Sequence, residues 1–141
     1  MTAPIIEISD HANPDAERVL GSGLAAFNEG VTGYNDRLPL TALIKDPETR
    51  QVIGGITGKT TLGMAFLDLF HVPATLRGTG LGSRLLQAFE DEARRRGCLN
   101  AVLYTISFQA PGFYEKNGWV RFGEIPCAPE GSSRVFMSKR L

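Results

Sequence analysis

The feature that most constrains this chain is a change of pattern across residues 62–97. Leu62 to Val72 is an almost continuous apolar run, which suits a strand buried on both faces. The segment Leu76-Arg77-Gly78-Thr79-Gly80-Leu81-Gly82-Ser83-Arg84 follows it, and apolar residues then fall at Leu81, Leu85, Leu86, Phe89 and Ala93. Those spacings of three and four give one stripe of a helix. Glu90, Asp91, Glu92, Arg94, Arg95 and Arg96 are expected on its opposite face, as acid-to-arginine pairs four apart. The arginines fall in the last turn, where the helix dipole favours them, and Gly97 closes the helix. Ala101 to Ile106 reads as a strand, so residues 62–106 form a βαβ-like unit with a glycine loop at its centre.

Around this unit the signals are those of an antiparallel sheet. Ile5, Ile6 and Ile8 suggest a short first strand. Pro14 opens a helix carrying Ala16, Val19, Leu20, Leu24 and Phe27, which Gly21 and Gly23 are expected to break or kink. The stretch from Gly30 to Leu38 reads as a loop. Leu40–Lys45 and Val52–Thr57 read as strands joined by a turn at residues 46–50, with Gly54-Gly55 marking a bulge or a close contact. Gly58-Lys59-Thr60-Thr61 reads as a hairpin turn. Connections this short exclude crossovers, so the strands before the glycine loop form a meander. Pro111–Asn117 is a short helix, and Trp119–Ile125 and Arg134–Ser138 are final strands.

Composition removes several function classes. The 141 residues suggest a single domain, residues 1–141, large enough for a core of its own. Fifteen basic and fifteen acidic side chains cancel, which argues against a nucleic-acid partner and against a polybasic membrane anchor. No run reaches the length of a membrane span, and MTAPIIEISDH carries no positively charged leader, so a cytoplasmic protein is expected. Cys98 and Cys127 have no metal-ligand spacing; they are expected as free thiols, and no metal is expected.

A glycine segment opening a helix has a specific capacity. The first N–H groups of a helix lack intrahelical acceptors and carry partial positive charge. Glycine lets an anion approach them without a Cβ in the way, and Arg77 adds a cation at the mouth. The segment therefore reads as a phosphate or pyrophosphate cradle, although a tight strand-to-helix turn would also use glycine. A dinucleotide fingerprint would need glycine at position 83 or 85, where Ser83 and Leu85 stand. Gly58-Lys59-Thr60 is not a P-loop, since the required earlier glycine is Ile53 and no helix follows.

The register Arg77-x-x-Gly80-x-Gly82 resembles the acetyl-coenzyme A loop of the GNAT superfamily of N-acetyltransferases, [Q/R]-x-x-G-x-[G/A]. Asp68-Leu69-Phe70-His71-Val72-Pro73 is similar to that superfamily's splayed fourth strand. Ala110-Pro111-Gly112-Phe113-Tyr114 with Gly118-Trp119 resembles its second signature, A-x-x-x-Y-x-x-x-G-[F/W/Y]. The resemblance is strong over residues 50–122, and Gly54-Gly55, Phe108-Gln109-Ala110 and Lys139-Arg140-Leu141 look like a group of small bacterial members. It implies an α+β acyl-CoA N-acyltransferase fold, a mixed and mostly antiparallel sheet with helices on both faces.

The resemblance also implies a chemistry: acetyl transfer from acetyl-CoA, as co-substrate, to a primary amine of a small molecule or peptide by direct attack. Backbone groups of Phe70 and Val72 are then expected to pair with the pantetheine, and an N–H near either to face the oxyanion. Gly78, Thr79, Gly80, Gly82 and Ser83 would hold the pyrophosphate with Arg77 at the rim. Tyr114 matches the position whose phenol protonates the leaving thiolate; packing of a short helix is its other reading. Asp68, a carboxylate in an apolar strand, is expected either as base or amine-binding group or as a structural residue. His71, three residues on, is expected on the other sheet face from Asp68. Gln109 either contacts the coenzyme or caps the short helix. By analogy, Asn28, Glu29 and Asn35 fall where an acceptor pocket is shaped. The alternative is a catalytically degenerate acyl-CoA-binding sensor or structural module, and homodimerisation is left open.

Overall fold

The protein is described by a computed structural model covering residues 2–141. The described residues fall into two compact units, the segment ending at Asn35 and Asp36–Leu141.

The first unit contains helix α1, Pro14–Thr32. The Asn13 side chain accepts from the Ala16 N–H, Pro14 occupies the first turn, and Gly33 closes the helix at φ 85°. The expected break at Gly21 and Gly23 does not occur. Glycine lowers helix propensity by about 1 kcal/mol but has no steric objection to helical angles, and both ends are capped. Ile5, Ile6 and Ile8 form no strand, because their backbone meets no partner ladder.

The second unit is a six-stranded sheet built from β1 (Leu38–Lys45), β2 (Val52–Thr61), β3 (Met64–His71), β4 (Asn100–Ile106), β5 (Val120–Pro126) and β6 (Ser133–Arg140). Their order is β1-β2-β3-β4-β6-β5. Only β3 and β4 pair in parallel, joined through helix α2 (Leu81–Arg95), as the βαβ-like pattern predicts. Helix α3 (Pro111–Lys116) connects β4 to β5. Leu85, Leu86, Phe89 and Ala93 of α2 share one core with Ile56, Ala65, Leu67, Ala101, Leu103, Val135 and Met137 of the sheet. Tyr114 and Trp119 belong to the same core, so α2 and α3 cover one face.

Two strand expectations are corrected. Gly58-Lys59-Thr60-Thr61 is not a turn: β2 runs through it, and the reversal lies at Leu62-Gly63. A Cβ on Gly58 would stand 2.0 Å from the Phe66 carbonyl oxygen, so glycine is required there by strand approach. β3 is not buried on both faces either; Leu69 and Asp68 are exposed. Thr57 pairs with Leu69 while Gly58 pairs with Leu67, leaving Asp68 as the extra residue of a bulge. The bulge reverses the alternation, so Phe70 rather than Leu69 turns toward the core beneath α2.

Candidate active site

β3 and β4 pair only at Met64–Phe66 with Asn100–Val102. Beyond that point β4 pairs only with β6, and Leu67 to His71 pair only with β2. The sheet is forked, and a cavity of about 410 Å³ opens at the fork. Its walls are Phe70, Val72, Arg77, Gly78, Gly80, Gly82, Ser83, Ala110, Phe113 and Tyr114.

One wall is the start of α2. Its first intrahelical bond is donated by the Arg84 N–H to the Gly80 carbonyl, and no side chain caps the end. The N–H groups of Leu81, Gly82 and Ser83 therefore have no acceptor within the helix. Gly78 and Gly80 adopt φ values of 78° and 82°, the left-handed region that glycine enters without strain. Arg77 is anchored through its Nε, which donates to the Val72 carbonyl at 2.9 Å. A cation and unpaired N–H groups thus face one apolar-walled cavity, the chemistry a pyrophosphate needs.

The opposite wall is aromatic. Tyr114 is only 7% exposed, and its ring stands edge-on to Phe70, Phe113 and Trp119 with centroids 6.2, 5.3 and 6.1 Å away. Among the described residues its hydroxyl has no hydrogen-bond partner. Burial pushes the phenol up to about 12, so it stays protonated at neutral pH.

Of the residues read from sequence, Phe70, Val72, Arg77, Gly78, Gly80, Gly82, Ser83 and Tyr114 meet at this cavity. Thr79 and Gln109 are not in its lining. The Thr79 hydroxyl donates to the Leu76 carbonyl and closes the loop. The Gln109 Oε1 accepts from the Ile106 N–H at 3.1 Å and the Thr105 hydroxyl at 3.2 Å, tying down the end of β4 rather than capping α3. The Val72 carbonyl is occupied by Arg77, which leaves its N–H for a ligand.

Asp68 lies outside the lining, in an exposed ion pair with Lys59 Nζ at 3.5 Å. Lys59, Thr57 and Gly55 alternate along one face of β2, opposite the face of Ile56 and Gly58, and His71 pairs with Gly55. Asp68 and His71 therefore lie on the same face, away from the cavity, because the bulge cancels the alternation that was expected to separate them. Ala110 and Phe113 line the cavity as well. Both stand within the second signature, and Phe113 lies 3.4 Å from where a Gly82 Cβ would be.

Comparison with known proteins agrees with this geometry. Residues 7–119 match the family described as Acetyltransferase (GNAT) family. Over 134 residues the chain is 33% identical to the acetyltransferase Atu2258 of Agrobacterium fabrum, covering 95% of this chain and 97% of that one. It is 38% identical over 95 residues to the blasticidin-S acetyltransferase of Streptomyces morookaense, covering 67% of this chain and 70% of that one. A crystal structure of an Agrobacterium tumefaciens protein superimposes with a TM-score of 0.87 at 32% identity, covering 98% of this chain and all 100% of that one. The forked sheet, the uncapped glycine-opened helix and these similarities together show that the chain belongs to the GNAT acetyltransferase family, with the mixed, mostly antiparallel fold of that family.

Proposed function

We propose that the chain transfers an acetyl group from acetyl-coenzyme A to a primary amine of a small molecule or peptide. The observation that carries this reading is one cavity with two chemically different walls, an unpaired helix N-terminus with Arg77 on one side and the protonated Tyr114 phenol on the other. Acetyl-coenzyme A supplies the thioester that the amine attacks: the N–C bond forms, the C–S bond breaks, coenzyme A leaves as a thiol, and the proton the amine gives up passes to solvent water, from which the Tyr114 oxygen regains its own.

The chain's own residues divide the remaining work. The N–H groups of Gly80, Leu81, Gly82 and Ser83 hold the pyrophosphate, and Arg77 neutralises part of its charge. The edge of β3 beyond Phe66, free of β4, offers backbone groups to the pantetheine. A backbone N–H of Phe70 or Val72 stabilises the charge that develops on the carbonyl oxygen. The Tyr114 O–H donates its proton to the departing sulfur. Holding amine and thioester together supplies much of the acceleration. Asp68, on the other face, has no part in this scheme. A relative named for acetylating blasticidin S supports a small-molecule acceptor.

The test is a panel of primary amines with acetyl-coenzyme A, read by release of free thiol, with Gly80→Trp as a blocked-site control. Amine-dependent thiol release supports the reading. Coenzyme binding with no turnover across the panel favours a sensor or structural module. Thermal stabilisation by ATP or NAD, with none from acetyl-coenzyme A, overturns the reading; at a hundredfold excess over Kd a true ligand adds about 2.7 kcal/mol.

A further inference from the structure

Among the described residues, Glu90 is the only charged side chain buried in the core, at 1% exposure. It is expected on the solvated face of α2, yet it faces inward, and two of its three partners come from far along the chain. Its Oε2 accepts from the Trp119 indole Nε1–H at 3.2 Å. Its Oε1 pairs with Lys139 Nζ at 2.6 Å, and Arg94 stands at 3.5 Å. Lys139 Nζ also donates to the carbonyl of Asn117, the residue that ends α3, at 2.8 Å. Trp119 in turn donates its backbone N–H to the Tyr114 carbonyl at 3.0 Å and packs its ring against the Tyr114 ring.

These contacts seize α3 from behind. The helix has six residues and no side-chain cap at its start, too little to hold itself in one orientation. The Tyr114 hydroxyl makes no bond to the protein, so its direction into the cavity follows from where α3 and Trp119 are seated. Stability alone does not account for the cluster, because well-packed apolar residues usually serve as well as a buried ion pair.

We propose that Glu90, through Trp119 and Lys139, is a positioning residue for Tyr114, orienting the phenol toward the leaving sulfur. The proposal rests on the acid role given to Tyr114 above.

The test is a double-mutant cycle on the full chain, with Glu90→Gln and Tyr114→Phe made singly and together, measuring kcat and KM for acetyl-coenzyme A. Glu90→Gln is expected to lower kcat by about tenfold or more while KM changes by about twofold at most. In the Tyr114→Phe background it is expected to have no further effect, since the group it orients is gone. Trp119→Phe, which removes the indole donor, runs through the same cycle, and Glu90→Gln with Lys139→Met removes both charges if the single change impairs folding. An unchanged kcat in Glu90→Gln, or the same fractional loss in the presence and absence of the Tyr114 hydroxyl, overturns the positioning role. If Tyr114→Phe itself leaves kcat unchanged, the acid assignment falls and this proposal with it. A slow Tyr114→Phe beside a normal Glu90→Gln removes the positioning role alone.

Discussion

Tyr114→Phe separates catalysis from folding because it removes the phenol proton and leaves the ring packing in place. The ring contacts to Phe70, Phe113 and Trp119 survive the change, since they involve ring faces and edges. The lost hydroxyl makes no protein hydrogen bond and is reached by solvent from the cavity, so its removal leaves no buried group unpaired. The folded protein is expected to keep its stability to within about 1 kcal/mol. The reaction should behave otherwise. Removing a general acid costs about 10²–10⁴ in rate, roughly 3–5 kcal/mol of barrier. The pyrophosphate wall of the cavity is untouched, so KM for acetyl-coenzyme A is expected to stay within about twofold. Steady-state thiol release gives kcat and KM, and thermal unfolding gives the stability. A second readout is chemical: an acetyl thioester of a more acidic thiol needs less protonation on departure, so the defect should shrink with it. A kcat within about twofold of the parent protein, or a loss of the same size with every leaving group, would refute the acid role of this phenol.

Four further outcomes follow from the same geometry. Tyr114 titrates at about 12 when folded against 10.0 for a free tyrosine, so its contribution to stability is fully present below pH 10 and lost as pH rises through 12. The loss is about 3 kcal/mol, and urea titrations across that range should show a shallower pH dependence in Tyr114→Phe. Gly58→Ala places a Cβ 2.0 Å from the Phe66 carbonyl oxygen and 3.0 Å from the Phe89 ring, so denaturant unfolding should report a loss of about 3 kcal/mol or more. Gly80→Ala meets no neighbour but must hold φ 82°, which strains the loop by about 1–2 kcal/mol. Calorimetry should show acetyl-coenzyme A bound roughly tenfold more weakly, with kcat retained at saturation. Asp68→Asn removes an exposed ion pair outside the cavity, worth under about 1 kcal/mol, and kcat/KM should stay within about twofold; a collapse would make this carboxylate the base.

The legible parts of this molecule are those whose cause is local. The glycine loop, the stripe of α2 and the two signatures depend on residues a few positions apart, and the structure brings most of the residues read from them to one cavity. The misread parts depend on contacts between distant residues. Gly58 looks like a turn glycine, but what requires it is the Phe66 carbonyl on the next strand, and the reversal uses Leu62 at φ 48° instead. Alternation predicts His71 on the face opposite Asp68, and one extra residue in β3 overturns the parity for everything after it. That bulge also turns Phe70 toward the cavity, so the same irregularity that hid the site's orientation helps create it. Glu90 reads with its charged neighbours as solvated, although Leu86, Glu90 and Ala93 stand four and three apart and so share the apolar stripe. Periodicity alone could have placed it inside; only the fold could say that Trp119 and Lys139 would meet it there. The identity of the cavity-lining residues is thus written locally, while the face each strand residue takes and the partners of Glu90 depend on bulges and distant contacts that local pattern does not record.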